Sequence, residues 1–320
     1  MQAVLAELQA LGPKPIPQLS APEARKQPTP ADAVKALLEE QGKSTAPEPV
    51  GGVVDRTVPG AAGPIPVRIY TPKGSGPFPI LVYYHGGGWV IADLDTYDAS
   101  PRALANLANA VVVSAHYRQG PEHKFPAAHQ DAFAAYRWVL ANARSLEGDS
   151  SNVAVAGESA GGNLAAAVSM MARDSGARMP AHQVLIYPIA GYDLDTPSYR
   201  ENAEAKPLNK PTMQWFFDQY LRSAEDGNNP LIDLVHADLE RLPPATVITA
   251  QIDPLRSEGK ALADRLESAG VQVDYRNYEG STHEFFGMGA VLDDAKAAQQ
   301  QAAEGLRKAF ASSGAAPTRP

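Results

Sequence analysis

The pentapeptide Gly157-Glu158-Ser159-Ala160-Gly161 carries the residue best placed for covalent chemistry. It follows the apolar, β-branched run at 153–156 and precedes a helix-like stretch at 161–173. A serine at the tip of a sharp strand-to-helix turn has its hydroxyl pushed out of the sheet, which is the context a nucleophile needs. So tight a turn needs small neighbours, and Gly157, Ala160, Gly161 and Gly162 are small. The helix that starts there points free N–H groups and its positive dipole end at a developing oxyanion. Gly-rich strand–helix turns also cradle phosphates. However, neither G-x-G-x-x-G nor G-x-x-x-x-G-K-[ST] occurs in this chain.

A second motif, His85-Gly86-Gly87-Gly88-Trp89, closes the apolar run at 80–84. Three residues without Cβ let backbone N–H groups come close to a ligand oxygen, and an oxyanion hole needs such donors fixed in advance. One donor is expected from Ala160, next to the nucleophile, and the others from this loop. A nucleophilic serine also needs a base and a group to orient it. Chains with such an elbow place the acid and then the histidine after the serine. Only His182, His236 and His283 follow Ser159. His283 comes just after the strand-like VDYRNY, on a loop at a strand's C-terminal end, where catalytic residues of such sheets gather. His182 precedes a strand and His236 lies in a polar connection, so His283 is the expected base. Asp253 follows the run at 246–250 and is the expected acid, with Asp233 and Asp238 as rivals. Asp-Pro before a helix is also a start signal, and Asp253 can serve both ends.

Other chemistries find little support. The pairs Glu39-Glu40 and Asp293-Asp294 point to different helix faces. There is no H-E-x-x-H, and the absence of cysteine removes thiolate metal sites and disulfides. No metal is therefore expected. The 320 residues are 44% hydrophobic and 20% charged, with a net charge of −8. That is a globular composition and a poor match to nucleic acid or anionic lipid. No run reaches the roughly 18 apolar residues of a membrane span. The N-terminus lacks the basic start and apolar core of a signal peptide, so a cytoplasmic location is expected.

Strand-like runs fall at 65–70, 80–84, 111–115, 153–156, 184–187, 246–250 and in VDYRNY, alternating with helix-like stretches at 99–108, 127–143, 161–173, 258–268 and 293–310. Short apolar runs suit strands covered on both faces, and the alternation argues an α/β, doubly wound sheet. Residues 1–11 and 30–40 read as helices around a Pro-rich extended linker. Residues 192–228 read as an insertion over the sheet, with one helix at 212–221.

Together, HGGGW at 85–89, GESAGG at 157–162, DPLR at 253–256, His283 and HYR…PEHKFPA at 116–127 resemble the hormone-sensitive-lipase-like esterases, bacterial family IV of the α/β-hydrolases. The resemblance covers residues 30–311. It implies an α/β-hydrolase fold of about eight mostly parallel strands with a helical cap, and the divisions follow. These are N-terminal cap helices over 1–50, core over 51–191, cap insertion over 192–228, core over 229–311 and a flexible tail over 312–320. It also implies a cofactor-free serine esterase for short to medium acyl esters, with Ser159, Asp253 and His283 catalytic. Gly87, Gly88 and Ala160 would be the oxyanion donors, and a homodimer would be plausible. The chain departs from the family pattern at Gln119-Gly120, Ala92, Ser257 and Glu284, the last standing where Gly is common.

Met213, Phe216, Phe217 and Tyr220 recur at helical spacing, as a packing face would. Some of them, with Trp89 and Trp215, are candidates to line the substrate pocket. The expected substrate is a small-molecule ester. The competing classes are a catalytically silent binding module of this fold, and a hydrolase or acyltransferase acting on amides or lactones.

Overall fold

The structure is a computed structural model and describes residues 1–313. Three helices open the chain: α1 (Gln2–Ala10), α2 (Ala21–Ala24) and α3 (Pro30–Glu40). Ser20 with Glu23, and Thr29 with Asp32, form reciprocal capping boxes that fix where α2 and α3 begin. The linker expected to be extended over 12–30 therefore holds one short helix and a 3-10 turn at Ile16–Gln18.

Among the described residues, eight strands form one sheet. They are β1 (Gly52–Pro59), β2 (Pro64–Thr71), β3 (Phe78–Tyr84), β4 (Val111–Ala115), β5 (Gly148–Glu158), β6 (Gln183–Ile186), β7 (Ala245–Ile252) and β8 (Val273–Thr282). Their order is β1-β2-β4-β3-β5-β6-β7-β8. β2 runs antiparallel to both neighbours and the rest of the sheet is parallel. β5, which ends beside Ser159, lies centrally. The seven strands expected from apolar runs are present, and β1 is the addition. All but one of its residues are exposed or half-exposed, so it carries no apolar signature.

The connecting helices are α4 (Ala99–Ala108), α5 (Ala127–Asn142), α6 (Ala160–Ser175), α7 (Pro197–Glu201), α8 (Lys210–Tyr220), α9 (Arg256–Ser268) and α10 (Asp293–Ser313). Side chains alternate across the sheet. Ile80, Val82 and Tyr84 pack on the face that holds α5, α6 and α9. Leu81 and Tyr83 pack on the face that holds α4 and α10. The tail expected over 312–320 begins inside α10 and, from residue 314, lies outside the described residues.

One buried carboxylate ties three elements together. Asp131 of α5 accepts from Arg118 N, Nε and Nη2 and from Ala61 N in the β1–β2 turn. Its side chain is fully buried. Removing one partner of a buried pair leaves an uncompensated charge. Asp131→Ala is therefore expected to destabilise the fold by about 3 kcal/mol, read as a lower urea midpoint, with Asp131→Asn in between.

Candidate active site

Ser159 sits where β5 turns into α6, at φ 57° and ψ −118°. A non-glycine residue is strained there, and such strain collects at functional sites. The crossing of helix over sheet explains the small neighbours. A Cβ on Gly161 would stand 1.9 Å from the Tyr84 carbonyl oxygen at the end of β3.

His283, just past β8, and Asp253, just past β7, meet Ser159 at this end of the sheet. His283 Nδ1 donates to Asp253 Oδ2 at 2.7 Å. A carboxylate only accepts, so this fixes the tautomer and leaves Nε2 to accept from Ser159 Oγ at 2.9 Å. Asp253 Oδ1 accepts from Leu255 N at 2.9 Å within the turn before α9. Leu255 is the N-cap of that helix and no side chain caps it, so Asp253 is not the helix cap that Asp-Pro also suggested. All three side chains are buried. The rivals lie elsewhere: His182 bonds Thr246 Oγ1, His236 pairs with Asp233 at the surface, and Asp238 is exposed.

Burial opposes a charge on His283. Asp253, through charge and hydrogen bond, and then the charges of Glu284 and Glu158 outweigh it and hold the ring above its ordinary pKa of 6.5. Glu158 is pushed up to about 7, by burial first and then by the charge of Glu284. The hydroxyls of Tyr83 and Tyr187 donate to it.

Ser159 and His283 open into a cavity of about 690 Å³. Gly87 and Gly88 form part of its wall. Gly88 has φ 58°, and a Cβ there would meet the Phe216 ring at 2.2 Å. Ala160 is the first residue of α6, so its N–H has no acceptor within the helix. Leu5, Leu8, Ile16 and Arg25 from the N-terminal segment, with Leu208 and Phe216 from the later insertion, line the same cavity.

Of the six aromatic and Met candidates, Phe216 alone lines the cavity. Trp89 is fully buried and stacks on Tyr220 with centroids 4.9 Å apart. Phe217 packs edge-on against Tyr192, Met213 lies in the main core, and Trp215 donates Nε1 to Leu19 O. Met213, Phe217 and Tyr220 form the packing face of α8 that their helical spacing also suggested, and Trp89, outside that helix, packs against it.

The departures from the family pattern acquire places. Gln119 Nε2 donates to the carbonyls of Ile91 and Ala92, while Arg25 Nε takes that of Val90, so two side chains hold three consecutive carbonyls after the glycine loop. Ser257 and Ser198 each donate a backbone N–H to the other's hydroxyl, joining α7 to α9. Glu284 lies in the cavity wall. Sequence reasoning assigned no role to Arg25 or Tyr97, which also line the cavity. An isolated Arg in a Pro-rich stretch, and a Tyr in a loop, carry no spacing signal.

If the elbow is strained, Ser159→Gly should melt above Ser159→Ala, by about 1 kcal/mol in stability. Thermal denaturation of the two variants side by side measures this.

A family model described as alpha/beta hydrolase fold matches residues 81–287. Carboxylesterase NlhH of Mycobacterium tuberculosis is 40% identical over 251 residues, 77% of this chain and 79% of that protein. Ethyl acetate hydrolase of Pseudomonas putida is 33% identical over 299 residues, 92% of both chains. The solved hyperthermophilic esterase from the archaeon Pyrobaculum calidifontis has a TM-score of 0.86 at 39% identity, covering 96% of each chain. On the match of fold, motifs and relatives, the chain belongs to the α/β-hydrolase fold family, in its hormone-sensitive-lipase-like branch.

Proposed function

We propose that this protein is a serine carboxylesterase that hydrolyses short- to medium-chain acyl esters. The observation that carries the reading is the chain Asp253–His283–Ser159, with bonds of 2.7 and 2.9 Å, opening into a cavity walled by Gly87 and Gly88. Relatives named carboxylesterase and ethyl acetate hydrolase support the bond type.

In the reaction, His283 Nε2 takes the Ser159 proton as Oγ bonds to the ester carbon. The carbonyl oxygen becomes an oxyanion, held by the N–H groups of Gly87, Gly88 and Ala160. Asp253 keeps the ring in the tautomer that can accept, and offsets the imidazolium charge. His283 then protonates the departing alcohol, and the C–O bond to it breaks. Water, deprotonated by the same nitrogen, releases the acid and restores Ser159.

The cavity lies within the usual range for small-molecule sites. Its roof of residues from the N-terminal segment and from the middle of the insertion, at 206–216, bounds the room for an acyl chain. The homodimer rests on the family resemblance.

Initial rates on p-nitrophenyl esters from acetate to palmitate test the reading. Turnover should peak at short to medium chains and fall about a million-fold in Ser159→Ala. A peak at palmitate would keep the chemistry and overturn the chain length. No turnover by the folded protein would favour a silent binding module, and preferred cleavage of amides or lactones would change the bond.

The base works only when neutral. Since His283 is held above 6.5, kcat/KM should fall on the acid side through a midpoint above 6.5. A pH–rate profile measures it, and a midpoint below 6.5 would contradict the electrostatic account.

A further inference from the structure

We infer that Glu284 is a positioning residue for the proton transfer: its carboxylate stands at the Nε2 edge of His283 and favours the imidazolium that forms when Ser159 loses its proton. The inference rests on reading the site as a serine esterase.

The first support is position. Glu284 Oε1 lies 3.8 Å from His283 Nε2, and the side chain is 20% exposed, in the wall of the cavity that Ser159 enters. Asp253 binds the opposite edge of the ring, at Nδ1. The two carboxylates therefore bracket the imidazole. The nitrogen that gains the proton has a carboxyl group within ion-pair reach before any substrate arrives. Burial pushes that carboxyl up, and the charge of His283 and the Tyr97 hydroxyl pull it back toward its ionised form.

The second support is aim. Tyr97 OH donates to Glu284 Oε1 at 2.6 Å. That hydroxyl fills the space beside Gly86, where a Cβ would lie 2.2 Å from it. The first glycine of the HGGG loop thus admits the group that holds the carboxylate.

The third support is backbone conformation. Glu284 has φ 71° and ψ 2°, a left-handed conformation that suits glycine and disfavours a residue with Cβ. The family pattern commonly has Gly at this place. This chain instead puts a long charged side chain on a strained backbone, next to the base. Strain of this kind persists where the surroundings over-determine it, as they do at functional sites.

The electrostatic effect is selective. A neutral ring interacts weakly with a nearby carboxylate, whereas an imidazolium interacts strongly. The contact therefore grows along the reaction coordinate, which is the condition for accelerating a step rather than merely tightening binding. Glu284 itself exchanges no proton. The proton passes from Ser159 Oγ to His283 Nε2, and from there to the departing alkoxide.

The charged and titratable groups facing this pair come from every side. Asp253 follows β7, and Glu158 ends β5 with the Tyr83 and Tyr187 hydroxyls on it. The Tyr187 ring lies 4.5 Å from that of His283. Tyr97 holds Glu284, Tyr117 feels its charge, and Asp93 and His116 stand farther along the cavity wall. Removing the charge of Glu284 also relieves Glu158, whose carboxyl it helps to push up, so the shift in the acid limb reports the net change at His283.

The test compares the native protein, Glu284→Gln and Glu284→Gly in pH-stat assays of ethyl butyrate hydrolysis from about pH 5 to 9. Ethanol must be protonated as it leaves, so both transfers count. Glu284→Gln is expected to lose about tenfold in kcat with KM changed less than about twofold, because the lost contact is one of the transition state. Its acid limb should move to lower pH by roughly half a unit, because the ring loses a charge that favoured its proton. Glu284→Gly should show the same kinetic losses while melting no lower than the native protein. Native kcat and a native acid limb in Glu284→Gln would overturn the inference. So would kcat and melting temperature falling together in both variants, which marks a structural role. If the native protein cleaves no ester, or Ser159→Ala cleaves it equally well, the esterase reading itself fails. Loss of activity in Ser159→Ala beside an unaltered Glu284→Gln sinks this inference alone.

Discussion

His283 is only 3% exposed, yet in the proposed reaction it must receive the proton that Ser159 releases. A charge formed at that depth forfeits several kcal/mol of hydration unless protein groups replace the water. Much of the surrounding architecture answers to this constraint. Asp253 arrives at the end of β7, His283 at the end of β8 and Ser159 at the end of β5. Parallel strands that finish at one edge are what let three residues distant in sequence share one ring. Asp253 remains fully buried on the far side of that ring, so its charge acts through little solvent.

The backbone around the site works against its own preferences. Ser159 and Glu284, both with side chains beyond Cβ, sit at positive φ. Gly161 passes so close to the Tyr84 carbonyl that no side chain fits. These positions hold because rigid neighbours surround them. α6 is buried along nearly its whole length, packed on β5, β6 and β3 and against α5. The strained turn is a local cost carried by a large core, and the proposed reaction needs the serine to project.

Most of this was legible in the residues. The buried strands announced themselves as short β-branched runs, and the elbow and glycine loop by their small residues after two of those runs. His283 and Asp253 could be picked out because each follows a strand. β1 escaped because an edge strand facing solvent has no reason to alternate. The pocket wall was the weakest reading. Helical periodicity says that α8 has an inner face, but the core and the cavity both lie inward, and both reward the same apolar side chains. Both Phe216 and Phe217 belong to the core, and only packing shows that Phe216 also reaches the cavity while Phe217, one position on, does not. The Tyr97–Glu284 bond spans 187 residues, a pairing no local pattern encodes.

The cavity roof joins residues near 5–30 to residues near 206–216, and Trp215 clasps Leu19 across a separation of 196 residues. A ribosome makes the first of these segments long before the second exists. At roughly 5–20 residues per second, the interval is on the order of ten seconds or more. Through that interval α1 can lie on α3, but Ile16 and Leu19 have no α8 to meet. The binding chamber is therefore a late product of biogenesis, closed only after the sheet beneath it has begun to assemble. A nascent chain stalled between β6 and α8 would display the elbow serine under an unfinished ceiling.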